Sequence, residues 1–182
     1  MSADDFRGAG RRHQRGAVAI EFAVLFLVFF ALVYAIIGYS LPFLLTLSFK
    51  QLSAEAARSA VRVSPAPQAA AYIARINRQV HEVVEASWLP SGWVQGGCPA
   101  PAEDAGWIAL PDMAGRSLGH YRLMPDAPSH APRYQLNVCL QRAYDREQAI
   151  IPTLTLFGVD VPTLPQDARG ESVVRGRSSV RL

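Results

Sequence analysis

Residues 11–30 read "RRHQRGAVAIEFAVLFLVFF". A basic, polar lead-in ends at Gly16, and an apolar run begins at the next residue. One carboxylate, Glu21, interrupts the start of that run. From Phe22 to Phe49 there is no Asp, Glu, Lys or Arg. A helix needs roughly 20 apolar residues to cross a bilayer, so this run is long enough with residues to spare. A core helix of a small soluble domain seldom stays uncharged over such a length. The first element is therefore expected to be a membrane-spanning helix over 17–49, preceded by a cytoplasmic leader over 1–16.

The charges around the run set its expected direction. Arg7, Arg11, Arg12 and Arg15 precede it, against Asp4 and Asp5. Lys and Arg beside a transmembrane segment favour the cytoplasmic side. The N-terminus is then inside and everything from Lys50 onward outside, although Arg58 and Arg62 stand near the other end. Net charge is only +3. No basic patch is interleaved with aromatics, which argues against nucleic acid as a partner.

Beyond Lys50 the text changes to "KQLSAEAARSAVRV". Leu52, Ala56, Ala60 and Val63 fall at helical spacing, with Glu55 and Arg58 at i,i+3. One long helix is expected, greasy below and amphipathic above, with Pro42 as the position where it can kink. "SPAP" (Ser64 to Pro67) ends it. A second helix is expected from Gln68 to Ala86, with Tyr72, Ile73, Ile76, Val80, Val83 and Val84 on one face. These extracytoplasmic helices occupy 50–86.

Residues 87–182 read as loops and strands. Short strands are expected near Trp107 to Leu110 and Tyr121 to Met124. "RYQLNVCLQRAY" alternates with period two, placing Tyr134, Leu136, Val138 and Leu140 on one side and Gln135, Asn137 and Gln141 on the other. "TLTLFGVDVPTL" gives two short segments around Gly158, and "ESVVRGRSSVRL" a last strand. Helices followed by strands argue an α+β fold with a small antiparallel sheet. Cys98 and Cys139 flank the stretch richest in Pro and Gly. Outside the cytoplasm they can form a disulfide there; two free buried thiols are the alternative.

Signs of catalysis are absent from the sequence. "HEVVE" (His81 to Glu85) misses the zinc motif H-E-x-x-H at its second imidazole, and reads as a solvated helix face. His13, His120 and His130 are isolated. No nucleophile elbow, P-loop or dinucleotide fingerprint occurs. The expectation is a non-enzyme with no metal and no cofactor.

The junction "RG-AVAIEF" carries more. A secretory signal has its small-residue cleavage site after the apolar segment; here the better candidate lies before it, at Gly16. A basic leader, a glycine, four apolar residues, Glu, an aromatic and a long apolar helix resemble a type IV prepilin processing site. Glu21-Phe22 is similar to the tight-adherence (Flp) pilus variant. With "AARSAVR" (Ala56 to Arg62) and an α+β distal region, the chain resembles the TadE-like minor pilins, or pseudopilins. The resemblance covers residues 11–63 well and the rest loosely.

The resemblance implies a prepilin peptidase cutting between Gly16 and Ala17 at the inner membrane. It implies a periplasmic C-terminal region and other pilin subunits and the pilus assembly machinery as partners besides the lipid bilayer. It also implies a role in surface adhesion and biofilm formation. Glu21, with Phe22 beside it, is implied to set assembly register by meeting the new amine of a neighbouring subunit. The competing reading is an uncleaved single-pass protein with an extracytoplasmic binding or sensory domain.

Overall fold

The computed structural model describes residues 14–101, 106–125, 128, 132–144, 154–156, 159–161 and 170–182. Two helices come first: α1 (Gln14–Ala60) and α2 (Ala69–Glu85). A single 3-10 turn follows at Ser91–Trp93. The strands are β1 (Ile108–Ala109), β2 (Gly119–Leu123), β3 (Tyr134–Ala143), β4 (Leu154–Leu156), β5 (Val159–Val161) and β6 (Val173–Arg181). The fold is α+β, as the element order predicts.

Helix α1 continues through Pro42. Proline cannot donate to the Gly38 carbonyl, and the Thr46 hydroxyl donates to the Pro42 carbonyl at 2.8 Å. The helix ends by tightening. Val61, Arg62 and Val63 donate three residues back, to Arg58, Ser59 and Ala60, before Ser64-Pro65 stops the chain from continuing. Helix α2 then runs back along α1. Arg75 shares a surface groove with Arg62 and Val63, whereas Ala86 and Trp88 lie beside Ser48 and Leu52.

The main sheet has the order β1-β2-β3-β6, antiparallel throughout. β4 and β5 form a separate antiparallel pair. Period-two alternation sends Tyr134, Leu136, Val138 and Leu140 toward the helices. They join Phe49, Leu52, Ala56 and Ala60 of α1, Ile73, Ile76, Val80 and Val84 of α2, and Val174 of β6 in one core. Burying each larger aliphatic or aromatic side chain is worth about 1.5–3 kcal/mol, so this cluster carries the folded domain after the exposed helix.

Strand β6 lies against α1 at Gly176. A Cβ there would collide with the backbone of Phe49 and Lys50. Only glycine allows that approach.

The outer face of the sheet departs from simple alternation. Asn137 and Cys139 point away from the helices yet are buried. The segment after Trp93 covers them. Gln95 pairs with Gln141 through two backbone bonds of 2.8 and 3.1 Å, and Cys98 is joined to Cys139 in a disulfide. The chain between Trp88 and Pro132 is thus tied to β3 at several points rather than looping freely.

Candidate functional site

Gly16 and Ala17 lie in the first turns of α1. A glycine inside a helix weakens it by about 1 kcal/mol relative to alanine, and helix ends open at little free-energy cost. The glycine therefore weakens the helix locally beside the Gly16–Ala17 bond. Glu21 follows one turn after Ala17 and is exposed. Among the described residues it has no ion-pair partner, and none of the folded domain approaches it.

Phe22 is also exposed, at 68%. It stacks on Phe26 (ring centroids 6.2 Å apart), which stacks on Phe30 (6.3 Å). Spacing of i,i+4 produces this column of rings. The structure thus keeps Gly16, Ala17, Glu21 and Phe22 together by sequence proximity alone, at the end of α1 remote from the folded domain. Val18–Ala60 contains an apolar window that none of the fold buries, long and apolar enough to cross a membrane.

The folded domain holds a second concentration of polar groups. His81 does not lie on a solvated face, as the reading of "HEVVE" supposes; it is only 2% exposed. Its position one turn after Asn77 and beside Val80 and Val84 puts it on the buried face of α2. The Asn77 amide donates to the Pro111 carbonyl at 2.9 Å, which brings the chain before β2 over both residues. Neither ring nitrogen of His81 has a hydrogen-bond partner among the described residues. Burial, and then the Arg116 guanidinium, push its pKa below the ordinary value, with Glu85 and Asp112 opposing. A polar residue on an otherwise apolar helix face was the signal available for this burial.

Arg116 is a connector that no local sequence pattern singles out. It pairs with Glu85 at 3.6 Å and donates to the carbonyls of Ser91 and Val94 at 3.2 and 3.4 Å. It thereby ties the end of α2, the 3-10 turn and the Met113–Arg116 turn to one another. On the sheet's outer face, His120 is likewise pushed below its ordinary pKa by burial and by Arg177. Among the described residues no group of three His, Cys, Asp or Glu side chains could hold a metal ion.

Comparison with known proteins gives one family. Residues 16–58 match the family model described as TadE-like protein, a similarity confined to that segment of the chain. The match starts at Gly16, takes in Glu21 and Phe22, and runs through the exposed helix into its buried upper part. No curated protein matches the chain. No solved structure matches it either.

Proposed function

We propose that the chain is a TadE-like minor pilin, or pseudopilin, that supports assembly of a tight-adherence (Flp) pilus without catalytic activity of its own. The observation that carries this reading is the extent of the TadE-like match, which begins at Gly16 and follows the apolar helix to Arg58. A prepilin peptidase cuts between Gly16 and Ala17 on the cytoplasmic face of the inner membrane, leaving the C-terminal domain in the periplasm. The cut leaves the helix on the product and creates an amine at Ala17.

Glu21 then has a physical role. A carboxylate inside a membrane helix costs about 2.5–3.5 kcal/mol on insertion scales and is retained where it has a partner. Near the start of α1 it also meets the positive end of the helix dipole. An ammonium on Ala17 of a neighbouring subunit supplies the missing charge, and the pair fixes how far one helix slides along another. Such a subunit serves adhesion and biofilm formation through the pilus it helps to build.

Intact-mass measurement of the membrane protein with and without the peptidase tests the cut. The expected product begins at Ala17, and Gly16→Leu leaves the full mass. A mature N-terminus elsewhere refutes this site, and an unchanged mass returns the chain to an uncleaved single-pass protein. Glu21→Ala is expected to insert and to be cut but to leave cells without pili; normal piliation in that strain removes the register role.

A further inference from the structure

Lys and Arg beside a membrane helix favour the cytoplasmic side, so Arg58 and Arg62 stand against the direction read from the leader. The fold brings them to a second pair. Helix α2 runs back along α1, and Arg75 and Arg78 come up beside them on the open side of the two helices. Arg62, Arg75 and Arg78 line a hollow of about 340 Å³ with Ser59 and Gln79. Arg58 and Arg62 line an adjoining one of about 700 Å³ with Gln51, Ala54 and Val83. Ser59, Arg62 and Gln79 belong to both hollows, so the two form a single groove.

Four guanidinium groups so placed repel one another. Arg58 and Arg62 are one turn apart on α1, and Arg75 and Arg78 three residues apart on α2. Like charges at those spacings oppose the helices that carry them. All four are exposed. Among the described residues Arg116 pairs with Glu85, whereas none of these four takes an ion pair. The floor between them is uncharged: Ser59, Val63, Gln79 and Val83 are half-buried there. Two exposed acids, Glu55 and Glu82, stand on the rim.

We propose that this groove is the docking surface for an acidic, helical segment of a partner protein. Guanidinium forks hold carboxylates through paired hydrogen bonds, which the four arginines find nowhere in their own chain. The half-buried floor gives the apolar side of a helix a place to pack. From Gln51 to Arg62 it runs about 16 Å, the length of about 11 helical residues. Glu55 and Glu82 limit the charge density of the occupant. They repel an unbroken row of phosphates, whereas acids spaced along a protein segment face the arginines and leave neutral positions to the two glutamates. Height excludes the headgroups of the bilayer. Arg62 lies 13 residues beyond Phe49, where the charge-free run ends. That is about 20 Å along the axis, more than twice the ~8 Å over which charges act at physiological salt. The height argument rests on α1 crossing the membrane; the others do not. No residue of the groove belongs to the maturation site, so the surface goes beyond the pilin reading and needs no cut at Gly16.

Calorimetric titration of the full chain in a neutral detergent tests the proposal. The probe is a synthetic alanine-rich peptide of about 15 residues, long enough to form a helix, with glutamates three or four residues apart. Saturable binding is expected, weakening as salt is raised. Arg62→Gln with Arg78→Gln is expected to weaken it at least about tenfold. Arg122→Gln with Arg181→Gln removes the same charge on either side of Gln135, on the far face of the sheet, and is expected to change it less than about twofold. Near-UV circular dichroism checks that both variants are folded. No binding, or binding that survives Arg62→Gln with Arg78→Gln, overturns the proposal. Equal loss in the two double variants overturns it as well, since net charge alone would then explain the affinity. Tighter binding of inorganic tripolyphosphate than of the peptide puts a phosphate in the groove and overturns it equally. So does binding of the groove to phosphatidylglycerol vesicles that is lost with Arg62 and Arg78. A failed maturation test changes none of these outcomes.

Discussion

Below Gly38, helix α1 exposes Phe22, Phe26, Phe29 and Phe30; above it, Phe49 is completely buried. The same residue type in the same helix meets two different surroundings. What differs is the sequence around each. The lower part is bulky and apolar on every side, the pattern of a helix in a uniformly apolar medium. The upper part has a buried face of small residues (Ser53, Ala56, Ala57, Ala60) and an outward face bearing Gln51, Glu55 and Arg58. Small side chains let α2 and β6 approach closely, and the contact at Gly176 is the extreme case.

The contrast predicts where truncation destabilises the folded domain. Phe49→Ala is expected to destabilise it by about 3–5 kcal/mol, since it opens a cavity among packed neighbours. Thermal unfolding of the full chain in detergent, followed by near-UV circular dichroism, reads this directly. A melting temperature within error of the parent would mean that α1 is not part of the domain core.

The disulfide comes next. Cys98 and Cys139 are separated by 41 residues, and the loop-entropy relation gives about 4 kcal/mol for a link of that length, often less in practice. The paired change Cys98→Ser with Cys139→Ser is expected to lower the melting temperature while leaving insertion of α1 untouched. An unchanged temperature would show that the backbone bonds of Gln95 and Gln141 hold that segment by themselves.

These two effects also mark how much was legible in the sequence. The helix boundaries were readable because uncharged length, Ser64-Pro65 and the apolar face of α2 are local signals. β3 was readable because alternation is local too. His81 was misjudged, since Asp112 and Arg116, which act on it, are far along the chain and nothing in "HEVVE" announces them. Burial of Asn137 and Cys139 has the same origin, a covering segment that pairs with β3 from a distance. The spacing of Gly16 and Glu21 singles them out as candidates, but nothing local separates the outward apolar face over residues 36–47 from the run before it. It becomes distinct from the lipid-facing run only once Gly38, Pro42 and Phe49 are known to face the domain.

A smaller effect is expected from acid. The folded state holds the His81 pKa below its ordinary value through burial and Arg116, against Glu85 and Asp112. The unfolded chain takes up that proton below about pH 6.5, while the native state resists it. Stability is therefore full above that pH and is lost as pH falls toward the lowered native pKa. His120 is shifted in the same direction and shares the loss. His81→Leu is expected to flatten the fall in melting temperature between about pH 7 and 5 without abolishing it. An identical slope in parent and variant would assign the acid sensitivity to other groups.

The smallest expected effect sharpens the contrast most. Phe29→Ala removes as many atoms as Phe49→Ala from the same helix, but at a position exposed in the monomer. Its effect on melting of the folded domain is expected to lie within about 0.5 kcal/mol, as for surface changes remote from packing. If truncation acted through helix propensity, alanine would stabilise both positions slightly, since it is the stronger helix former. If it acted through packing within the monomer, only Phe49→Ala would register. A large loss at Phe29 would require a neighbour that the monomer lacks. The comparison of two phenylalanines thus separates what holds the domain together from what the exposed helix leaves to its surroundings.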